Sequence, residues 1–354
     1  MPVRNAPLFA ESPGPATSAW DRIEGMLVGL AIGDALGNTS EGQTPLQRER
    51  VHREIRDFLP NWKAQNERKG TPSDDSQLAF WTVEHLVERG ALDVEALGRM
   101  FAARRIFGIG QAMREFVVGM RDGEPWRHAA AKSAGNGALM RIAPVVLPHL
   151  TEPTPALWRD AALLARLTHN DCASVASCVG YVALLWDLAA MNEPPQSCWW
   201  TDRFLDVVGD LDTGVQYAPR GGAYSSIGQF SDLVRARIAD ARREGWNTVE
   251  ACERFYSGAY LLETVPCVLY ILEQHGANAE EAIVRAVNDT RDNDTIAAIV
   301  GAAVGMLHGI EALPRRWRDG LTGRTAIDDD GRMFELIDQA RSRFWSKPPS
   351  GVSY

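Results

Sequence analysis

Two short acidic clusters, Ser73-Asp74-Asp75-Ser76 and Asp292-Asn293-Asp294-Thr295, hold the residues of this chain best suited to chemistry. Each joins two carboxylates to small hydroxyl side chains, and each opens an apolar stretch of helical period. Hard divalent cations such as Mg²⁺ take oxygen ligands in near-octahedral geometry. Two such ions a few ångström apart need carboxylates arriving from more than one segment. Taken singly, either cluster reads as a helix cap, with Ser73 at the N-cap and aspartates complementing the helix dipole. Taken together they predict a metal site, because the helix behind the second cluster is expected to be buried. A buried carboxylate is costly unless a cation accompanies it.

Three further segments carry candidate residues. Ser133-Ala134-Gly135-Asn136-Gly137-Ala138-Leu139-Met140-Arg141 is a glycine-broken polar turn before an apolar run. Free N–H groups there could hold a phosphate, or the segment could simply be a turn. It is not a P-loop, since no Gly-Lys-Ser/Thr follows. Thr168-His169-Asn170-Asp171 ends one apolar helix and starts another, with Asn170 or Asp171 as N-cap and His169 either structural or functional. Glu41, just past Gly33-Asp34-Ala35-Leu36-Gly37, is either a solvated loop acid or a site carboxylate. No Ser-His-Asp or Cys-His arrangement stands out.

The elements that must position these residues are helices. Periodicity near 3.6 predicts them over Ile23–Leu36, Gln77–Arg89, Val94–Ala103, Gly110–Met120, Asn136–Val146 and Ala156–Leu167. It predicts others over Cys172–Met191, Ser231–Glu244, Tyr260–Gln274, Ala279–Val287, Thr295–Ile310 and Met333–Trp345. No segment alternates like a strand, so the expected class is all-α. Gly25, Gly29, Gly33 and Gly37, and then Gly301, Gly305 and Gly309, recur every fourth residue. At 3.6 residues per turn each set forms a stripe without side chains. Glycine costs about 1 kcal/mol in a helix interior, so the stripes predict close approach of two buried helices. Leu46–Arg68 is highly charged and predicts a surface helix, whereas Asn192–Phe230 reads as a long irregular flap. With no repeat and no clean boundary, a single compact domain over residues 19–354 is expected behind a disordered leader, residues 1–18.

A net charge of −9 over 354 residues argues against a broad nucleic-acid surface. Five cysteines without paired spacing argue against a zinc ribbon or a disulfide framework and point to reduced thiols in the cytoplasm. Met26–Leu36 and Ile296–Ile310 are too short to span a membrane.

These segments together, in this order along the chain, resemble the ADP-ribosylglycohydrolase family, which includes the dinitrogenase reductase-activating glycohydrolases. The resemblance runs from about Ile23 to Trp317 and includes Ala312-Leu313-Pro314-x-x-Trp317 near its end. It implies a compact helical fold with a two-metal centre, usually Mg²⁺ with Mn²⁺ as the alternative, at the base of a cleft. The implied ligands are Ser73, Asp74, Asp75, Asp292, Asp294 and Thr295, with Glu41 in metal binding or base chemistry. Gly135, Asn136, Gly137, His169 and Ser133 match the strip that contacts ADP-ribose. The implied reaction releases ADP-ribose from an acceptor such as an arginine side chain of a protein. Hydrolysis of a free ADP-ribosyl or nucleoside-like conjugate is the second reading. A third is an ADP-ribose-binding or occluding protein that acts as a toxin-immunity factor. Ser73 and Ser76 stand where many members have Thr, Thr290-Arg291 where Gly-Gly is common, and Asn293 where Thr is common. Arg291 is expected beside the site, pairing with a carboxylate or facing a phosphate of the substrate.

Overall fold

The computed structural model describes residues 19–61 and 68–345, so the expected leader lies outside the described residues. Among the described residues sixteen α-helices follow one another. The first eight are α1 (Trp20–Gly37), α2 (Pro45–His52), α3 (Asp74–Arg89), α4 (Val94–Ala103), α5 (Gln111–Arg121), α6 (Trp126–Ala129), α7 (Ala156–Arg166) and α8 (Cys172–Ala190). The rest are α9 (Trp199–Leu211), α10 (Phe230–Glu244), α11 (Thr248–Phe255), α12 (Leu261–His275), α13 (Ala279–Asp289), α14 (Asn293–His308), α15 (Arg315–Gly320) and α16 (Arg332–Phe344).

The fold is organised around α1 and α14, which run antiparallel with their glycine stripes in contact. A Cβ added to Gly29 would lie 2.2 Å from the Gly301 carbonyl oxygen, and one on Gly305 2.0 Å from that of Gly25. Only glycine permits such approach, which accounts for the stripes. Gly309 departs from the expectation: it ends α14 at φ 80 rather than lying within it. The antiparallel crossing sets Gly37 against Asp294, so the end of α1 meets the start of α14. Both acidic clusters are brought together there. Every residue of α14 from Asn293 to Leu307 is buried. α8 is long and apolar enough to cross a membrane, but 89% of its most apolar window is buried inside the fold.

Three expectations need correction. Asn136–Val146 is not an α-helix but a turn followed by a 3₁₀ segment, Ala143–His149. Pro144 and Pro148 both lack the N–H that an α-helical ladder needs. Asn192–Phe230 contains α9, whose Trp200, Phe204, Val208 and Leu211 recur at helical spacing and are all buried. A small antiparallel pair follows, β1 (Gln216–Tyr217) with β2 (Gly228–Gln229). Of Leu46–Arg68, residues 62–67 lie outside the described residues; in the rest the helix is α2, which stops at His52, and Thr44 and Gln47 close a capping box at its start. α11 begins with a second capping box, Asn247 and Glu250, and was not evident in the periodicity.

Candidate metal centre and substrate cleft

Asp34, one turn before the end of α1, is fully buried and joins α1 to the first cluster. Its carboxylate accepts from the Ser73 N–H at 2.9 Å, from the Ser76 N–H at 3.0 Å and from the Ser76 hydroxyl at 2.5 Å. Asn38 Nδ2 adds a donor at 3.2 Å. Ser73 therefore holds the N-cap position of α3 without making a side-chain cap. A residue from another helix satisfies the free N–H groups instead. The Ser73 hydroxyl is turned toward Asp75, donating to Oδ2 at 3.3 Å. Asp75 Oδ1 is buried with no partner among the described residues.

The second cluster is ordered differently. Asp292 at the α14 N-cap makes no cap bond with its side chain. Its Oδ2 accepts from Asn136 Nδ2 at 2.5 Å, and the same amide nitrogen donates to Thr264 Oγ1 at 2.9 Å. Asp294 Oδ1 accepts from the Thr295 N–H at 2.9 Å. The result is two groups of convergent oxygens that share Asp294. Asp34, Asp75 and Asp294 each offer an oxygen within 4.8 Å of the others, and so do Glu41, Asp292 and Asp294. Asp74 lines the cleft beside them but belongs to neither group. Its carboxylate lies 2.4 Å from where a Cβ on Gly108 would be, so a side chain at 108 would displace the Asp74 carboxylate.

Packing these acids together without a cation is electrostatically unfavourable. Burial raises Asp75 well above its usual range, and the strongest charges acting on it, from Asp294, Asp34, Asp74 and Asp292, are all negative. Burial likewise raises Asp294, with Asp292 and Glu41 adding to the effect. Asp74 is pushed up to about 8 by burial and by Asp34. Asp292 is pushed up to about 7 by burial, against the Asn136 hydrogen bond. The donor set fits a hard divalent cation: carboxylate oxygens converge from the end of α1, the Glu41 loop, α3 and the start of α14, and one of them, Asp75 Oδ1, has no other partner among the described residues.

A cleft of about 720 Å³ lies over this floor, within the size range of small-molecule sites. Glu41, Ser73, Asp74, Asp75, Asp292, Asp294 and Thr295 line one part, and Ser133, Gly135, Asn136, Gly137 and His169 another.

The sequence profile of the family described as ADP-ribosylglycohydrolase matches residues 15–346. The chain belongs to the ADP-ribosylglycohydrolase family. It is 27% identical over 334 residues to ADP-ribosylarginine hydrolase Tri1 of Pseudomonas putida, covering 91% of this chain and 79% of that protein. It is 25% identical over 307 residues to the ADP-ribosyl-[dinitrogen reductase] glycohydrolase of Rhodospirillum rubrum, covering 85% and 90%. A solved structure described as an ADP-ribosylglycohydrolase-related protein complex superposes with TM-score 0.66 at 25% identity, covering 92% of this chain and 97% of that one.

In this ADP-ribosylglycohydrolase the glycine strip is tied into the wall of the cleft. Gly135 forms an antiparallel bridge with Tyr260, and Leu261 N–H donates to the Ala134 carbonyl at 3.0 Å. The Ser133 hydroxyl folds back to accept from the Gly135 N–H at 3.1 Å. His169 stands behind the strip, 3.1 Å from where a Cβ on Gly137 would lie. Arg141 donates to Thr168 Oγ1 at 2.8 Å, and that hydroxyl lies 2.9 Å from His169 Nδ1. With Arg141 as donor, the hydroxyl proton is available to Nδ1, which leaves Nε2–H facing the strip. Burial first, and then the Arg141 charge, lower His169 to about 3, so the ring is neutral.

Two placements differ from the sequence reading. Arg291 is outside the cleft lining; its guanidinium stacks 4.8 Å from the Tyr256 ring centre. The arginine that the flap brings to the cleft is Arg220, 4.2 Å from the Tyr260 ring centre and 3.6 Å from buried Glu263. Asp34 was missed as a site residue. Its signal was a charge inside an otherwise apolar, glycine-striped helix, a place where a carboxylate needs a partner.

Proposed function

We propose that this enzyme is a divalent-metal-dependent hydrolase that releases ADP-ribose from a modified arginine side chain of a protein, in the cytoplasm. The observation that carries the metal reading is the convergence of Glu41, Asp292 and Asp294 on the cleft floor, with Asp75 set against Asp294 by Asp34. The arginine acceptor is supported by the name of the Pseudomonas putida relative. In this reading Ser73, Asp74, Asp75, Asp292, Asp294, Thr295 and Glu41 hold two Mg²⁺ ions, with Mn²⁺ as the alternative. Bound there, the ions would supply Lewis acidity toward ribose hydroxyls and an activated water.

The chain's own residues do the rest. Asp34 has its oxygens occupied by Ser73, Ser76 and Asn38, so it orients the first cluster rather than ligating. Asn136 has one amide hydrogen on Thr264 and one on Asp292, and so orients the second. The Gly137 backbone and His169 Nε2–H face the nucleotide part of the substrate, while the Gly135 and Asn136 N–H groups are held by Ser133 Oγ and the Ala259 carbonyl. The aspartates place negative charge where positive charge develops at the ribose C1 as the glycosidic bond breaks.

The test is release of ADP-ribose from substrates modified on arginine, serine or nucleic acid, with Mg²⁺ and alongside Asp294→Ala. Release from the arginine substrate, abolished by chelation and by Asp294→Ala, is expected. Release that survives either treatment would defeat the metal reading, and preference for serine or nucleic acid would defeat the acceptor.

A further inference from the structure

Arg48 lies on α2, in the charged stretch expected at the surface, yet it is fully buried. Its guanidinium makes five hydrogen bonds and no ion pair among the described residues. Nη1 donates to the Asn288 carbonyl at 2.9 Å and to the Thr290 carbonyl at 2.8 Å. Nη2 donates to the Gln43 carbonyl at 3.1 Å and the Ser40 carbonyl at 3.4 Å, and Nε to Ser40 Oγ at 3.0 Å. The acceptors come from two segments only, the loop after α1 and the turn that ends α13. One, Ser40 to Gln43, carries Glu41; the other, Asn288 to Thr290, leads into Asp292.

The same two segments are joined at further points. Ser40 Oγ also accepts from Asn293 Nδ2 at 3.0 Å, and the Gly42 N–H donates to the Arg291 carbonyl at 3.0 Å. Gly42 takes φ 79 directly after Glu41, a tight turn that a side chain would strain. Glu41 itself is exposed, so its own burial does not hold it in place.

We propose that Arg48 is the positioning residue that fixes the Glu41 carboxylate against Asp292 and Asp294. Only a planar fork with five N–H donors can reach carbonyls on both segments at once; lysine carries three donors on a single nitrogen. The charge also matters: the carbonyl oxygens of both segments converge beside a cluster of acids, and a buried cation there offsets both.

The proposal rests on the metal reading, and the experiment separates the two. Mn²⁺ is titrated into the full-length wild type, Arg48→Lys, Glu41→Gln and the double variant, and amide exchange at Gly42 is followed without metal. Arg48→Lys is expected to weaken Mn²⁺ binding at least about tenfold in the wild-type background, the scale of lost orienting contacts. It should change binding less than about threefold once Glu41 is already Gln. Gly42 exchange should quicken by about tenfold or more. Equal weakening in both backgrounds, or wild-type binding and exchange in folded Arg48→Lys, overturns the proposal. Should Arg48→Lys not fold, Ser40→Ala enters the same cycle with the same expected outcomes. Should the wild type bind no Mn²⁺, the metal reading falls, and unchanged Gly42 exchange in the variant overturns the brace by itself.

Discussion

The carboxylate of Asp34 caps the helix that begins at Ser73: the Ser73 N–H lies 2.9 Å from both of its oxygens. A residue of α1 thereby sets the orientation of α3 at the point where Asp74 and Asp75 leave the backbone. Helix N-termini favour negative charge, and here that charge comes from the helix that also packs on α14. The Asp34 side chain therefore helps to align the first cluster with the second.

Asp34→Asn tests that link. The amide keeps the shape but turns an NH₂ group toward donors that need acceptors, leaving buried N–H groups unsatisfied at about 1–3 kcal/mol each. Titration of Mn²⁺ should show affinity reduced about 10–100-fold, the usual scale for outer-shell partners. Affinity within a factor of two of wild type would mean that Asp75 does not depend on Asp34 for its placement.

The glycine stripes give a prediction of opposite signs. Alanine is the better helix former by about 1 kcal/mol, so Gly→Ala stabilises wherever there is room. Gly209 in α9 has nothing within 4 Å of the added methyl, and Gly209→Ala should raise the melting temperature. Gly301→Ala puts its Cβ 2.1 Å from the Gly29 carbonyl oxygen, which is backbone and cannot rotate away. A loss of about 3 kcal/mol or more is expected from overpacking of this kind. Thermal melts of the two variants should move in opposite directions; a stable Gly301→Ala would refute the close contact.

The crowded acids make the metal-free protein sensitive to pH in a defined sense. Asp74 and Asp292 are held at about 8 and about 7, above their ordinary value near 3.8. A raised folded-state value favours the protonated form, so its contribution is present at low pH and is lost as pH rises through 7 and 8. An unfolded histidine is still half protonated at pH 6.5 whereas His169, held down by burial, is neutral, so it adds a rising slope that fades by about pH 7.5 and is outweighed by the several raised acids. Melts in EDTA should therefore fall in temperature from pH 6.5 to 8.5. Cation binding must displace those protons, so affinity for Mg²⁺ should rise over the same interval. A flat or rising metal-free melting temperature would show that the acids are not protonated together.

How much of this was legible in the sequence differs by residue for physical reasons. Asp75, Asp292 and Asp294 stood out because their neighbours repeat the same polar pattern at two helix starts. The stripes stood out because glycine at every fourth position has no local explanation. Asp34 and Arg48 did not, because what defines them lies far away in the chain: Ser73 and Ser76 for one, Asn288 and Thr290 for the other. Arg48 also sits among charges that belong on a surface, and only its exposure of 0% separates it from them. The 3₁₀ segment after Arg141 has the apolar spacing of an α-helix, but Pro144 and Pro148 remove two of the N–H groups that an α-helix there would need. α9 is hidden because the prolines before it and the acidic turn after it surround its periodic face with the composition of a loop.

His169 provides the last test, on the substrate side of the cleft. Its neutral ring is fixed by Thr168, which Arg141 holds in turn, and burial keeps its value near about 3. The imidazole should show no titration between pH 5 and 8 when its Cε1 signal is followed by NMR. His169→Ala removes the Nε2–H donor but touches neither acidic group. Binding of free ADP-ribose should weaken about tenfold, the worth of one well-placed hydrogen bond. Affinity for Mn²⁺ should stay within about twofold, since the acids are oriented by Asp34 and Asn136 instead. If the loss appeared in Mn²⁺ affinity and ADP-ribose binding were unchanged, His169 would belong to the support of the metal floor rather than to the nucleotide strip.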